Sequence, residues 1–387
     1  KNIKKQVNHL INEINRSKWV NDKMIGCASI ILSGLSYKDE KYLNYGLGLL
    51  KKIIDFSFDA QSFPKSRNLR QLLFYLKYFV LIREWLKESQ NEIPEYLNEI
   101  IFYLGQSYIL IHKNTELNFL FNGNQISNNS DFDNYLKRLG YNFKSENYEI
   151  GGYIFLKNKK YAIAADLGAP PEKVFSKDYQ SGALSFEFLS NNNKIICNSG
   201  YFQNYKHQLN LISKSTACHS SLVIDNASSV SFTKQSSGIN KINSSLKIFN
   251  RKVVKDNNYW SFEASHNGYI KKFGILHHRK VEFFHEISKL SGLDKIEKKE
   301  DFKKYNFEIR FHLDPEAKVM KTQDGNSIYI GLKNEGWKFT SLNNKISYET
   351  GLYFGNKNNF VENQNILITG KTSDKEVLIH WEFEKIK

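Results

Sequence analysis

The chain has 387 residues, long enough for two or three domains with sizeable cores. Lys and Arg number 55 against 40 Asp and Glu, for a formal charge of +15 that favours polyanions: acidic polysaccharide, anionic lipid or nucleic acid. The lysines are scattered through an Asn- and Ile-rich sequence with no compact basic block, which argues against a nucleic-acid arm, and no apolar run approaches the ~20 residues of a membrane span.

The first 140 residues read as helices. Met24, Cys27, Ala28, Ile31 and Leu35 recur at helical spacing, as do Leu69, Leu72, Leu73, Leu76, Phe79 and Val80. Leu97, Ile100, Ile101, Leu104, Tyr108 and Ile111 repeat the pattern. Asn21 and Ser66 stand at expected helix starts, and short connections predict antiparallel helical hairpins. Residues 122–130 read as a polar loop, followed by a short helix from Asp131 to Gly140.

From about Tyr148 the period becomes two. Leu184, Phe186 and Phe188 alternate with Ser185 and Glu187, Asn191-Asn-Asn193 reads as a hairpin turn, and Lys194–Cys197 as the return strand. Leu222 and Ile224 suggest a third strand. Phe307, Ile309 and Phe311, then Val377, Ile379, Trp381 and Phe383, keep the alternation to the C-terminus. Helices first and antiparallel strands after predict an α+β protein: a helical domain over 1–140 and a large antiparallel β-sandwich over 148–387.

The polar residues Asp178, Gln180, Asn198 and His219 are expected at the mouths of the central strands, where a rigid sheet can present a site. The cysteines Cys27, Cys197 and Cys218 form no Cys-x-x-Cys pair and read as buried thiols, with Cys197 and Cys218 able to meet in the sheet. The chain opens on Lys1 and not Met, which leaves a signal peptide or an earlier segment open.

The order of these parts, with YQSGALSFEF from Tyr179, IICNSG from Ile195 and STACHSSLVID from Ser215, resembles heparinase II/III-like proteins. Later segments agree, among them His266-Asn-Gly-Tyr269, Gly274 to Arg279, Arg310 to Pro315 and Gly336-Trp-Lys-Phe339. The resemblance covers nearly the whole chain and looks closest to a shorter bacterial branch. It implies an incomplete (α/α) toroid packed on the sandwich, an active cleft between them, and cleavage of acidic polysaccharide by β-elimination.

That reaction needs a group to neutralise the uronate carboxylate, a base for the adjacent C–H proton and an acid for the leaving oxygen. By resemblance, Asn21 takes the first role, with Arg67 and Asn68 binding the acidic sugar. The alternatives are that Asn21 caps its helix, and that Ser66 caps the long helix with Arg67 solvated. The family's helical Tyr falls near Leu69, and its His-x-His positions read Asp178 and Gln180. A following Asp reads Asn198, and one His is retained as His219. A lone imidazole with two amides is a poor zinc site, so no metal or other cofactor is expected.

The substitute acid and base are then sought among Tyr179, Tyr201, His219 and Asp178, with Gln180 and Tyr201 also in substrate contact. Each has a plainer reading: Tyr179 and Tyr201 as packing or sugar-stacking rings, His219 as a buried strand-corner imidazole, Asp178 as a turn carboxylate. His277 and His278 point to opposite strand faces and cannot serve one site, and Arg279 is expected to pair with Asp294 or Glu282. The first functional reading is a lyase on acidic polysaccharide. A divergent non-catalytic glycan binder is the second, and a nucleic-acid binder the last. The particular uronate (alginate or a glycosaminoglycan), endo or exo action and oligomeric state stay open. The resemblance favours a bacterial periplasm or envelope, with the cytoplasm as the alternative.

Overall fold

The computed structural model describes residues 2–17, 19–112, 118–299, 303–356, 359–372 and 374–386. The chain divides into two compact units: residues 1–111 with 128–147, and residues 112–127 with 148–387.

The first unit is helical: α1 (Asn2–Arg16), α2 (Val20–Ser36), α3 (Glu40–Ser57), α4 (Leu69–Glu88), α5 (Glu95–His112) and α6 (Ser130–Arg138). The apolar positions at helical spacing are the buried ones: Leu69, Leu72, Leu76, Phe79 and Val80 on α4 are fully shielded. Helices α2 and α3 pack closely because Gly34 has no side chain; a Cβ there would sit 2.6 Å from the backbone N of Leu43. The helix starts differ from expectation. Trp19 is the N-cap of α2, which puts Asn21 inside the first turn, exposed. Asn68, not Ser66, caps α4, its Oδ1 accepting from the N–H groups of Arg70 (2.9 Å) and Gln71 (3.3 Å).

The second unit is built of antiparallel ladders. Strands β1 (Glu149–Ile150), β2 (Tyr153–Lys157), β3 (Tyr161–Asp166), β4 (Phe186–Ser190) and β5 (Asn193–Ile196) form one sheet in sequence order. After a short α7 (Gln208–Ser213) come β6 (Leu222–Ile224), β7 (Phe232–Lys234), β8 (Asn240–Ile242), β9 (Ile248–Lys255) and β10 (Tyr259–His266). A one-turn α8 (Ile270–Phe273) precedes β11 (Ile275–Phe284), β12 (Lys289–Lys298), β13 (Asn306–His312), β14 (Lys318–Lys321) and β15 (Ser327–Leu332). The last strands are β16 (Glu335–Ser341), β17 (Lys345–Tyr353), β18 (Val361–Lys371) and β19 (Glu376–Ile386).

The largest sheet runs β14-β15-β16-β19-β12-β11-β10-β9, another runs β17-β18-β13-β6, and β7 pairs with β8 alone. Three sheets meet at Trp381 of β19, which is fully buried. Phe186 of β4 stacks on it at 5.7 Å, and Phe311 of β13 meets it edge-on at 4.8 Å. The hairpin between β4 and β5 turns on Asn191 and Asn192, with φ of 47° and 60°, the left-handed pair that a two-residue turn requires.

Residues 122–129 are a loop, as read, but Asn122, Asn124 and Gln125 are buried. The three cysteines are buried free thiols, as expected, and Cys197 and Cys218 form no disulfide.

Candidate functional site

The segment after β3 carries the residues singled out above. It passes through a 3-10 turn, Lys173–Asp178, then runs extended through Tyr179 and Gln180. Gln180 was expected at a strand mouth but is fully buried. Its Nε2 donates to the carbonyls of Gly200 (2.9 Å) and Ser213 (2.6 Å), and its Oε1 accepts from the N–H of Gly123 (3.0 Å). Both amide hydrogens are therefore spent inside the protein. Asn122 completes the knot: its Oδ1 accepts from the Gln180 N–H at 3.0 Å, and its Nδ2 donates to Tyr153 Oη and, at 3.1 Å, to Asp166.

Asn198 is equally committed. Its N–H and Nδ2 donate to Glu187 Oε1 at 3.1 and 3.3 Å, and its Oδ1 accepts from the Ser220 N–H at 3.0 Å. Glu187 is paired with Lys194 at 2.9 Å, and both side chains are buried. The Leu120 N–H reaches the same Glu187 oxygen, and Lys194 Nζ donates to the Asn118 carbonyl. Burying this pair is tolerable only because each charge has further partners.

His219 is buried, with Nδ1 2.8 Å from the Ser215 carbonyl. A carbonyl only accepts, so the proton sits on Nδ1 and Nε2 is the basic nitrogen. Nε2 has no hydrogen-bond partner among the described residues. Burial pushes the imidazole down to about 4, partly offset by the Ser215 carbonyl, so the ring is neutral at neutral pH. The ring lies against Gly182, where a Cβ would fall 2.6 Å from Cδ2; only glycine admits this approach.

Tyr201 donates from Oη to Asp178 Oδ1 at 3.1 Å. Asp178 is half-buried and Tyr201 buried, which makes a phenol–carboxylate pair reaching the rim of this unit. Tyr179 instead packs among Ala183, Val230, Ile242 and Leu246. The segment that reads as a polar loop also supports Tyr201, since Gln125 Nε2 donates to its carbonyl at 3.0 Å and Gln203 in turn donates to Gln125.

In the helical unit, Arg67 is buried, not solvated, with φ of 56°. Asn68 is fully buried, and its Oδ1 serves the α4 cap. Asn21 is exposed on the first turn of α2. The residues missed from the sequence are Asn122, Gln125, Glu187 and Lys194. Their one legible signal was an acid and a base on the same face of the β4–β5 hairpin, where Lys194 pairs with Leu189, two residues beyond Glu187.

Gln180 and Asn198, which the resemblance sets against a lyase's His and Asp, are amides already bonded internally, a donor set that does not suit a zinc-like ion.

Residues 142–382 match the heparinase II/III-like C-terminal domain, and the chain belongs to that family. Among solved structures, heparan sulfate lyase HepC from Pedobacter heparinus is similar over 99% of this chain and 62% of its own, at 14% identity and a TM-score of 0.77. The heparinase III BT4657 gene product is similar over 100% of this chain and 62% of its own, at 13% identity and a TM-score of 0.81. A further heparinase III matches with a TM-score of 0.76 at 12% identity, over 96% of this chain and 62% of its own. At such identities the likeness is one of fold, and this chain spans about three-fifths of the length of those structures. No curated protein sequence matches it.

Proposed function

We propose that the protein acts on uronate-containing polysaccharide by β-elimination. The observation that carries this reading is the family match over 142–382, joined to a fold likeness that extends through the helical unit to heparinase III-type structures. In this reading the helical unit is an incomplete (α/α) toroid. Asn21 and Arg67 neutralise the uronate carboxylate of the bound chain, and Asn68, next to Arg67, caps α4 and contributes to the same substrate contact.

The base and acid come from the strand unit. Tyr201 is the leading candidate, because its O–H donates to Asp178 Oδ1 at 3.1 Å and the pair reaches a rim. His219 is the second, a neutral imidazole with Nε2 as acceptor. Tyr179 ranks below them because its ring is enclosed by aliphatic side chains. Gln180 acts by shaping the segment around Asp178, not by direct donation. Hydrolysis is disfavoured, since it wants two carboxylates flanking the bond, and of the positions set against a lyase's by resemblance Asp178 carries a carboxylate while Gln180 and Asn198 carry amides.

A second reading has its own observation: the amides of Gln180 and Asn198, where lyases carry a His and an Asp, are consumed by internal hydrogen bonds. That fits a glycan-binding relative without turnover. Incubation with heparan-type, alginate and other bacterial uronate polymers distinguishes the two. Elimination produces an unsaturated uronate with new ultraviolet absorbance. Saturated reducing ends would overturn the mechanism, and binding without cleavage would select the second reading.

A further inference from the structure

Lys214 is completely buried, yet its Nζ makes no ion pair among the described residues. It donates to the carbonyls of Lys177 (2.5 Å) and Asn240 (2.7 Å) and lies 5.3 Å from the Phe232 ring centroid. Those carbonyls belong to the last turn before Asp178 and to the residue preceding Lys241. One buried ammonium thus ties together two separate segments, the one that carries Lys177 and the one that carries Lys241, at one rim of the unit.

The rest of that rim is consistent in charge. Lys177 Nζ lies 5.8 Å from the centroid of the half-buried Tyr205 ring, and Lys241 Nζ donates to the Val174 carbonyl at 3.4 Å. Lys214 is pushed down to about 8, by burial first. Asp178 opposes that shift, while Lys177 and Lys241 are both near enough to add to it. Lys214, Lys177 and Lys241 therefore lie near enough to act on one another electrostatically, with Asp178, whose Oδ1 accepts from Tyr201 Oη, among them. Like charges held together by the fold raise the energy of the empty site and lower that of an anion entering it.

We propose that Lys177, Lys241 and Tyr205 form a subsite for an anionic sugar ring, placed beside the Asp178–Tyr201 pair. The two ammonium groups receive a sulfo or carboxylate group, and the phenol ring supplies a face for the sugar. Lys214 is the positioning residue that fixes both cations. This inference rests on the acidic-polysaccharide reading above.

The test uses the whole chain and a Lys177→Gln/Lys241→Gln double variant, with binding of a sulfated heparan-type oligosaccharide and of an unsulfated uronate polymer measured against salt. Both substitutions leave Lys214 in place, and thermal melting checks the fold. The expected result is about tenfold weaker binding, with the dependence of log Kd on log salt reduced by about two, one per ammonium removed. Loss with the sulfated ligand alone identifies a sulfo group, and loss with both identifies a carboxylate. Tyr205→Ala should weaken binding without changing the salt slope. Unchanged affinity and slope in the double variant would overturn the subsite while leaving the polysaccharide reading intact. If the unsubstituted protein binds neither ligand, both fall.

Discussion

Arg279 grips Asp294 with both arms of its guanidinium, Nε 2.8 Å from Oδ1 and Nη2 3.0 Å from Oδ2, in a completely buried pair. His277 Nε2 and Trp381 Nε1 reach the same carboxylate at 2.6 and 2.8 Å. The remaining arm of Arg279 donates to the carbonyls of Leu184 (3.0 Å) and Ser220 (2.7 Å), which precede β4 and follow His219. Asp294→Asn keeps the shape and leaves the guanidinium charge buried without its counter-ion. The expected cost is about 3–5 kcal/mol of stability by urea unfolding. A cost below about 1 kcal/mol would mean the pair is not holding the sheet to the site segment.

Buried imidazoles make the fold sensitive to acid. His219 is pushed down to about 4 and His312 to about 3, in both cases mainly by burial; His266 and His277 are lowered by the same cause. A histidine whose folded pKa lies below its unfolded value contributes its full stability above about pH 6.5. As pH falls below that, the unfolded chain takes up protons that the folded chain refuses. The urea midpoint should therefore hold steady above pH 7 and fall between pH 6.5 and 4, and His312→Gln should flatten the fall. A midpoint equal at pH 7 and pH 5 would contradict this.

Asn21 is exposed and makes no cap bond at the start of α2. Asn21→Ala should therefore change stability by no more than about 0.5 kcal/mol. If its amide neutralises the uronate carboxylate, kcat/KM on an acidic polymer drops about 100-fold. Asn21→Asp should be worse, because it sets a second negative charge against the substrate. Full activity in the alanine variant removes Asn21 from the site.

The Tyr201–Asp178 contact offers a cleaner separation of chemistry from binding. Tyr201→Phe keeps the ring and deletes one hydrogen bond, costing about 1 kcal/mol of stability. As the acid or base, its loss lowers kcat about 100-fold or more with little change in KM. Equal turnover in the two proteins assigns the phenol to packing and passes the role to His219.

Much of the strand unit is legible because alternation and turn chemistry are local. The β13 and β19 strands follow their apolar residues, and two left-handed asparagines close the β4–β5 hairpin. The polar stretch around Asn122 is a loop, as read, but its burial was not legible, because composition records polarity and not where the partners come from. Its amides are satisfied by Tyr153, Asp166 and the Gln180 backbone, 31 to 58 residues away. Gln180 misled in the same way: a polar side chain near a strand end suggests a solvent-facing rim, but the backbone carbonyls of Gly200 and Ser213 allow it to be buried. His219 follows its plainer reading, a buried imidazole bonded to the Ser215 carbonyl. The Trp19 and Asn68 caps show that the helix starts were legible only to within two residues.

Residues 118–127 belong to the strand unit although helices of the other unit flank them on both sides in sequence. A cut that treats the first 147 residues as an independent piece would carry away the N–H that serves Glu187 and the carbonyl that serves Lys194. It would also bare Phe119, Leu120 and Phe121, all buried in place. Dissection by simple truncation therefore yields two damaged fragments. A separable strand unit has to begin ahead of Asn118 and bridge residues 128–147 with a new linker.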